Sequence, residues 1–391
     1  MPEFNENIQI VNLELFDAAS PIAPNKEDET RRRFMTLFAH EGHGRHGGSA
    51  DVLLATNALG ERFALKRLHV ATTADSANAN AGSGPRQSSP AAKRKELRPS
   101  ISGSGSPAKA ARNQVGHPPG AETSPTPDYV TQGHVAAFYE EYRIHLAVSN
   151  LRGFPALYGF GLANGKPLIL MEWVEGITLR DALRERELAQ TSPLPLQTVA
   201  DLGIATLTLL QRADELEGQF AHRDLSPRNI MLRTDSIPPA SQLRTGSFDL
   251  CLVDFGSAAL NANRPLNPTF TMEAGVWRMG TPAYAPPEML TSDVAVPAAM
   301  RHSPAIDVYA LASVLYELYA GRKPYQITPA SPSPYRLKTE TPPAPLSTRE
   351  PDGGALADII TTCLAAQPES RPTITQMKTA LENWKRLPSR T

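Results

Sequence analysis

The sequence predicts an α+β fold in two lobes, a small antiparallel-sheet lobe followed by a larger, mainly helical one. Three observations predict it. From Phe34 onward, short apolar or alternating runs (FMTLF, ADVLLAT, RFALKRL) follow one another, separated by glycine or polar turns. Beyond Thr178 the apolar residues recur mostly at helical spacing instead. Between these regions, residues 71 to about 130 are dominated by Ala, Ser, Gly, Pro and Asn, a composition that cannot bury enough surface to fold.

In chain order, residues 1–33 are polar and end in the charged run KEDETRRR, so a mobile leader is expected there. FMTLF, ADVLLAT and RFALKRL read as three antiparallel strands. The insertion at about 71–130 carries the basic cluster Lys93-Arg94-Lys95, read first as a solvated charge run. A docking partner or an import receptor gripping that patch is the sharper reading. Ser89, Ser106 and Ser124 each precede a proline, as in many disordered segments. Structure is expected to resume with an amphipathic helix around His134–Ile144, then strands in FPALYGFG and PLILMEWV. Long buried helices follow in TVADLGIATLTLLQRADELEG and DVYALASVLYELYAG, and two more close the chain around a proline-marked loop. The small lobe is expected at about 34–174, the large lobe at about 175–385, and a tail at 386–391.

Bulk properties exclude several classes. A formal net charge of −1 over 391 residues is not that of a built-in polyanion binder, so no nucleic-acid partner is expected. Two cysteines, Cys251 and Cys363, are too few for a disulfide framework. Cys251 lies in the apolar run LCLVDFG and reads as a buried small hydrophobe. No apolar stretch approaches the roughly 20 residues that span a bilayer, and the first residues lack a basic start followed by an apolar core. A cytosolic or nuclear protein with no membrane partner is expected.

The chemistry is concentrated in four short segments: Lys66 within FALK, His222-Arg223-Asp224 with Asn229, Asp254-Phe255-Gly256, and Ala285-Pro286-Pro287-Glu288. Each alone is a weak signal. Together, in this order, they supply a candidate base, oxygen ligands for a hard metal ion and a phosphate-pairing lysine. The set resembles the signature of the eukaryotic-type protein kinases, Ser/Thr kinases in particular, over roughly residues 34–385.

That resemblance implies a bilobal protein-kinase-like fold binding ATP and Mg2+ in the cleft between lobes, with a protein as substrate. It implies that Asp224 aims the acceptor hydroxyl and that Asn229 and Asp254 hold Mg2+. Phe255 and Gly256 would decide whether Asp254 points into the site. Lys66 would pair with the α- and β-phosphates and with a helix glutamate, Glu141 by spacing, with Glu140 as the alternative. Met171-Glu172-Trp173-Val174 resembles the hinge that meets adenine through backbone groups, with Met171 gating the pocket behind it. The phosphate-covering loop departs from the family form. Gly42-His43-Gly44-Arg45-His46-Gly47 satisfies G-x-G-x-x-G literally, a weak match. The better register is Gly47-Gly48-Ser49-Ala50-Asp51-Val52, with Val52 over the base and Ala64 beside Lys66 in the nucleotide site. Ala50 then replaces the family's last glycine, and a positive φ there would cost energy. His40, His43 and His46 recur every third residue and read as polar decoration of a flexible loop rather than as a metal site.

The loop HRDLSPRN carries Ser226 where Ser/Thr kinases generally place lysine. Arg228, four residues after Asp224, would supply the missing charge near the terminal phosphate. That arrangement is shared with many tyrosine kinases, whereas Gly280-Thr281-Pro282-Ala283-Tyr284 resembles the Ser/Thr segment whose threonine hydroxyl bonds the catalytic aspartate. Ser/Thr specificity is the expectation. Glu288 and Arg371 resemble a buried ion pair that clasps this segment to the large lobe, and Asp307 the aspartate that braces the catalytic loop. Arg223 implies a phosphate on the activation segment, with Thr269, Thr271 and Thr281 as candidates. Two other classes share parts of this pattern: a pseudokinase scaffold, and a small-molecule kinase of related fold acting on choline or aminoglycosides. The first is opposed by the intact Lys66, Asp224, Asn229 and Asp254, the second by the GTxxYxxPE segment and the late Arg-Pro.

Overall fold

A computed structural model describes residues 8–16, 33–46, 50–68, 129–189, 194–217, 219–260, 281–291, 298–328, 331–347 and 352–386. The chain divides into one body, Met1–His69 with Gln132–Thr391, and a second unit, Val70–Thr131. Nearly all of that second unit, and with it the expected disordered insertion, lies outside the described residues.

Six strands close into an antiparallel barrel: β1 (Ile8–Phe16), β2 (Arg33–His46), β3 (Ala50–Thr56), β4 (Arg62–Leu68), β5 (Leu157–Ala163) and β6 (Lys166–Glu172), in the order β1-β2-β3-β4-β6-β5. β2, β3 and β4 are the three strands expected after Phe34. The expected mobile leader is corrected over residues 8–16. β1 pairs with β2 over Ile8↔His40 to Leu15↔Arg33 and with β5 over Glu14↔Leu162 to Phe16↔Phe160. The reason is alternation: Val11, Leu13 and Leu15 face inward and join Leu37, Ala39, Leu53, Phe63, Leu65, Leu168 and Leu170 in the barrel core, while Ile10, Asn12 and Ile8 face outward. Gly161 permits the β1–β5 approach, because a Cβ there would lie 2.4 Å from the Glu14 carbonyl oxygen.

Helix α1 (Tyr129–Val148) follows, then the barrel's last strands and the short β7 (Gly176–Thr178). The Thr178 hydroxyl caps α2 (Leu179–Leu188) by accepting the Asp181 N–H at 3.1 Å. The large lobe is built on α3 (Leu196–Glu217) and α5 (Ala305–Ala320), with the short α4 (Pro239–Thr245) between β8 (Ile230–Arg233) and β9 (Leu250–Leu252). α5 is apolar nearly all round and buried from Ile306 to Tyr316, as such a helix must be. It stops at Gly321, whose φ of 68° an L-residue rarely adopts. α6 (Pro334–Glu340), α7 (Gly353–Cys363) and α8 (Ile374–Arg386) complete the lobe, α8 burying Ile374, Met377, Leu381 and Trp384 along one stripe. Both Cys251 and Cys363 are buried free thiols, and burial pushes each up to about 12. Among the described residues no helix is long and apolar enough to cross a membrane.

Leu13 is 1% exposed and Ile10 63% exposed on the same strand. Leu13→Ala is expected to lower stability by about 2–5 kcal/mol, and Ile10→Ala to stay within about 0.5 kcal/mol, measured by urea unfolding. A silent Leu13→Ala would return residues 8–16 to the status of a loose leader.

Candidate active site

A cleft of about 720 Å3 brings together residues from β3, β4, α1, β6, the 222–229 loop and the segment after β9. Ala50, Val52, Ala64, Lys66, Glu141, Met171, Glu172, Val174, Asp224, Ser226, Arg228, Asn229 and Asp254 all line it. Gly47, Gly48 and Ser49 lie outside the described residues, as do Thr269 and Thr271. Ala50 is a β3 residue paired with Leu68 and is not among the positive-φ positions, so the strain expected there does not arise. Gly44, from the literal glycine pattern, does reach the cleft. It follows a bulge in β2, and a Cβ at Gly44 would sit 2.3 Å from the Val52 carbonyl oxygen. The histidine triplet belongs to strand β2 rather than a flexible loop, and His40 hydrogen-bonds the Thr56 hydroxyl at 3.1 Å.

Pleating decides where Lys66 goes. Phe63 and Leu65 fill the barrel core, so Ala64 and Lys66 face the opposite way. Lys66 is 6% exposed, and its Nζ donates to a Glu141 carboxylate oxygen and, at 2.8 Å, to Asp254 Oδ1. Burial works against the ammonium, but Asp254 and Glu141 more than offset it and raise its pKa. In turn the Lys66 ammonium holds the Asp254 carboxyl well below the usual carboxylate range. Of the two candidate glutamates, Glu141 meets Lys66, while Glu140 pairs with Arg143 at 3.2 Å.

Asp224 is fixed from two sides. Its Oδ1 accepts the Thr281 backbone N–H at 3.1 Å and its Oδ2 accepts Asn229 Nδ2 at 3.0 Å. The threonine contact thus comes from the main chain rather than from the hydroxyl expected. Asn229 Nδ2 also donates to the Asp224 carbonyl oxygen at 2.8 Å, so both amide hydrogens are committed and the carboxamide oxygen is left for a cation. Asp254 and Asn229 therefore present hard oxygen donors on one cleft wall, the donor set that suits Mg2+ shared with phosphates. No three His, Cys, Asp or Glu side chains converge as a metal cage among the described residues. Burial pushes the Asp224 carboxyl up to about 6 against the pull of the Thr281 N–H, and Asp254 adds to the rise. Ser226 also lines the cleft, with its buried Oγ lacking a hydrogen-bond partner among the described residues.

The loop holding Asp224 is strained and braced. Arg223 has φ of 66°, and the buried Asp307 carboxylate accepts the His222 and Arg223 N–H groups at 2.6 and 2.8 Å. Such off-region backbone persists only where surroundings over-determine it. Phe255 packs against His145, His222 and Phe154, with ring centroids 4.8 to 5.9 Å apart. Burial pulls both histidines down to about 4, so both are neutral at pH 7.

Three supports were not found in the sequence. Arg233 on β8 forks onto Glu172 at 2.5 and 3.1 Å, fixing the strand end next to Val174. His145 reaches the cleft from α1, one turn beyond Glu141. Lys338 on α6 is buried and donates to the Ala283 and Ala285 carbonyls at 3.2 and 2.6 Å. Burial pulls its ammonium down to about 7. The same segment ends in Glu288, which pairs with Arg371 at 2.7 and 2.9 Å, both side chains buried. Arg371 also donates to the carbonyls of Ala305, Ala365 and Ala366.

A model of the protein kinase domain matches residues 130–381, more than half of the chain. Serine/threonine-protein kinase PknL of Mycobacterium tuberculosis is 30% identical over 196 residues, 50% of this chain and 41% of that protein. PkaA of Streptomyces coelicolor is 30% identical over 208 residues, 52% of this chain and 32% of that protein. PknB of Mycobacterium tuberculosis is 28% identical over 242 residues, 60% and 34% respectively. The chain thus spans between about a third and about two fifths of the length of these relatives.

Removing one partner of the Glu288–Arg371 pair strands a buried charge. Arg371→Met is expected to cost about 3–5 kcal/mol, read from urea or thermal unfolding. A loss under about 1 kcal/mol would mean that Glu288 finds water or another donor.

Proposed function

This chain belongs to the protein kinase family, and we propose that it transfers the γ-phosphoryl group of ATP to Ser or Thr hydroxyls of protein substrates. One observation carries the reading. The Lys66–Glu141–Asp254 ionic cluster and the Asp224–Asn229 pair open into one cleft large enough for a nucleotide. Val52, Ala64 and the Met171–Val174 strand end, which line the cleft, would hold the adenine of ATP. Lys66 pairs with the α- and β-phosphates, and Glu141 holds its ammonium in place. Asn229 and Asp254 would hold Mg2+, which would neutralise charge on the transferring group.

Asp224 accepts a hydrogen bond from the acceptor hydroxyl and aims its oxygen in line with the γ-phosphorus. The new O–P bond forms as the bond to the β,γ-bridging oxygen breaks. The acceptor proton passes to Asp224, and ADP leaves with the bond's electrons. Arg228 supplies positive charge near the terminal phosphate, in the absence of a lysine at residue 226. The segment Gly280-Thr281-Pro282-Ala283-Tyr284, which resembles that of Ser/Thr kinases, favours a Ser/Thr acceptor.

The test is Mg-ATP transfer by the purified chain onto Ser/Thr and Tyr acceptors. Asp224→Asn is expected to lower kcat about 10²–10⁴-fold with ATP affinity kept. Phosphoserine or phosphothreonine should be the product. No turnover by the wild type would sink the catalytic reading and favour a scaffold.

The base works only when ionised. As pH falls through about 6, Asp224 takes up a proton, and kcat/KM should drop about tenfold per further pH unit. A profile flat down to pH 5 would contradict this role. For the cation site, Glu141→Gln is expected to raise the KM for ATP and lower kcat, and Glu140→Gln to do neither, in steady-state assays.

A further inference from the structure

The Thr281 N–H on Asp224 fixes the side of the cleft at which an acceptor hydroxyl must arrive. Tyr284 sits three residues beyond, its N–H returning to the Thr281 carbonyl at 2.9 Å, and its ring is buried. Cations gather around it. Lys323 Nζ lies 5.5 Å from the ring centroid, and Arg180 and Arg228 are close enough to act on the phenol. Arg180, on the first turn of α2, donates its backbone N–H to the Pro227 carbonyl at 2.8 Å, which ties it to the loop bearing Arg228. Both arginines are exposed. Glu317 accepts the Tyr284 hydroxyl at 2.6 Å. Among the described residues, neither Arg180 nor Lys323 has a carboxylate partner.

We propose that this rim selects substrates carrying an anionic group, carboxylate or phosphate, close to the acceptor Ser or Thr. The proposal deepens the phosphotransfer reading and rests on it for the place of the acceptor. Arg180 and Lys323, beside a Glu317 carboxylate already engaged by the Tyr284 hydroxyl, attract a negative side chain flanking the acceptor and repel a lysine or arginine there. Specificity would then come as much from rejected basic peptides as from favoured acidic ones.

The experiment uses the full chain and fluorescent peptides with one central Ser, flanked by Asp/Glu, by phosphoserine, by Ala or by Lys. Dissociation constants are read by anisotropy with a non-hydrolysable ATP analogue, and kcat/KM with ATP. Anionic peptides should bind more tightly than Lys-flanked ones by about fivefold for each cation engaged, the size of a favourable exposed ion pair. The rim variants Arg180→Glu and Lys323→Glu together should remove or invert that order, leaving the KM for ATP unchanged. The milder Arg180→Gln with Lys323→Gln should weaken it, should the reversal disturb folding. A gain confined to phosphoserine peptides assigns phosphate as the recognised group, and an equal gain with Asp/Glu assigns carboxylate. Equal binding of anionic and Lys-flanked peptides, or an unaltered preference in both double variants, overturns the proposal. A chain that prefers anionic peptides but transfers nothing overturns the kinase reading alone.

Discussion

A buried ammonium cannot stand alone in a protein interior, and Lys66 is the group on which this site depends. Its two partners come from 75 and 188 positions further along the chain. Removing both charges from water is costly, and the cost is recovered only when geometry and hydrogen bonds are both satisfied. The three-membered cluster therefore acts as a coincidence detector. Barrel strand and helix α1 must both be in position before the buried Lys66 and Glu141 charges are satisfied, and the half-exposed Asp254 completes the cluster. The strained φ of 68° at Asp254 is the local penalty that this arrangement offsets.

The other wall follows the same logic with different chemistry. The segment from Thr281 to Glu288 makes few contacts of a regular element. Instead it is held by charges entering from elsewhere: Arg371 at one end, Lys338 in the middle and, through Thr281, Asp224 at the other. A backbone stretch pinned by side chains can be positioned finely while keeping an irregular path. The substrate side of the cleft needs that, because its main chain must present an N–H to Asp224 and carbonyls to Lys338 within a few residues.

Much of this was legible in sequence because motif residues carry chemistry at fixed local spacing. The pairs Asp224/Asn229 and Asp254/Gly256 hydrogen-bond within a loop, so spacing and contact are nearly the same information. Strands β2 to β4 and the long helices announced themselves by periodicity. β1 did not, although IQIVNLELF alternates, because a single strand bordered by polar residues gives no sign of its partners. One of those, β5, lies far along the chain. Lys338 and Arg233 were hidden for a related reason. Each looks like an ordinary surface cation in its local window, and only tertiary packing turns it inward. The source of the bond from Thr281 to Asp224, main chain rather than hydroxyl, is likewise set by the fold and not by residue type.

Among the described residues the barrel closes through a seam of three residue pairs between β1 and β5, and that close approach requires that residue 161 have no side chain. A single methyl group there would force the strands apart. The ring would revert to an open sheet with two unpaired edges, a surface on which other chains add strands and aggregate. Solubility of the small lobe thus hangs on an atom that is missing, at a position remote from any catalytic group. A sequence survey that weighed only the nucleotide site would pass over it.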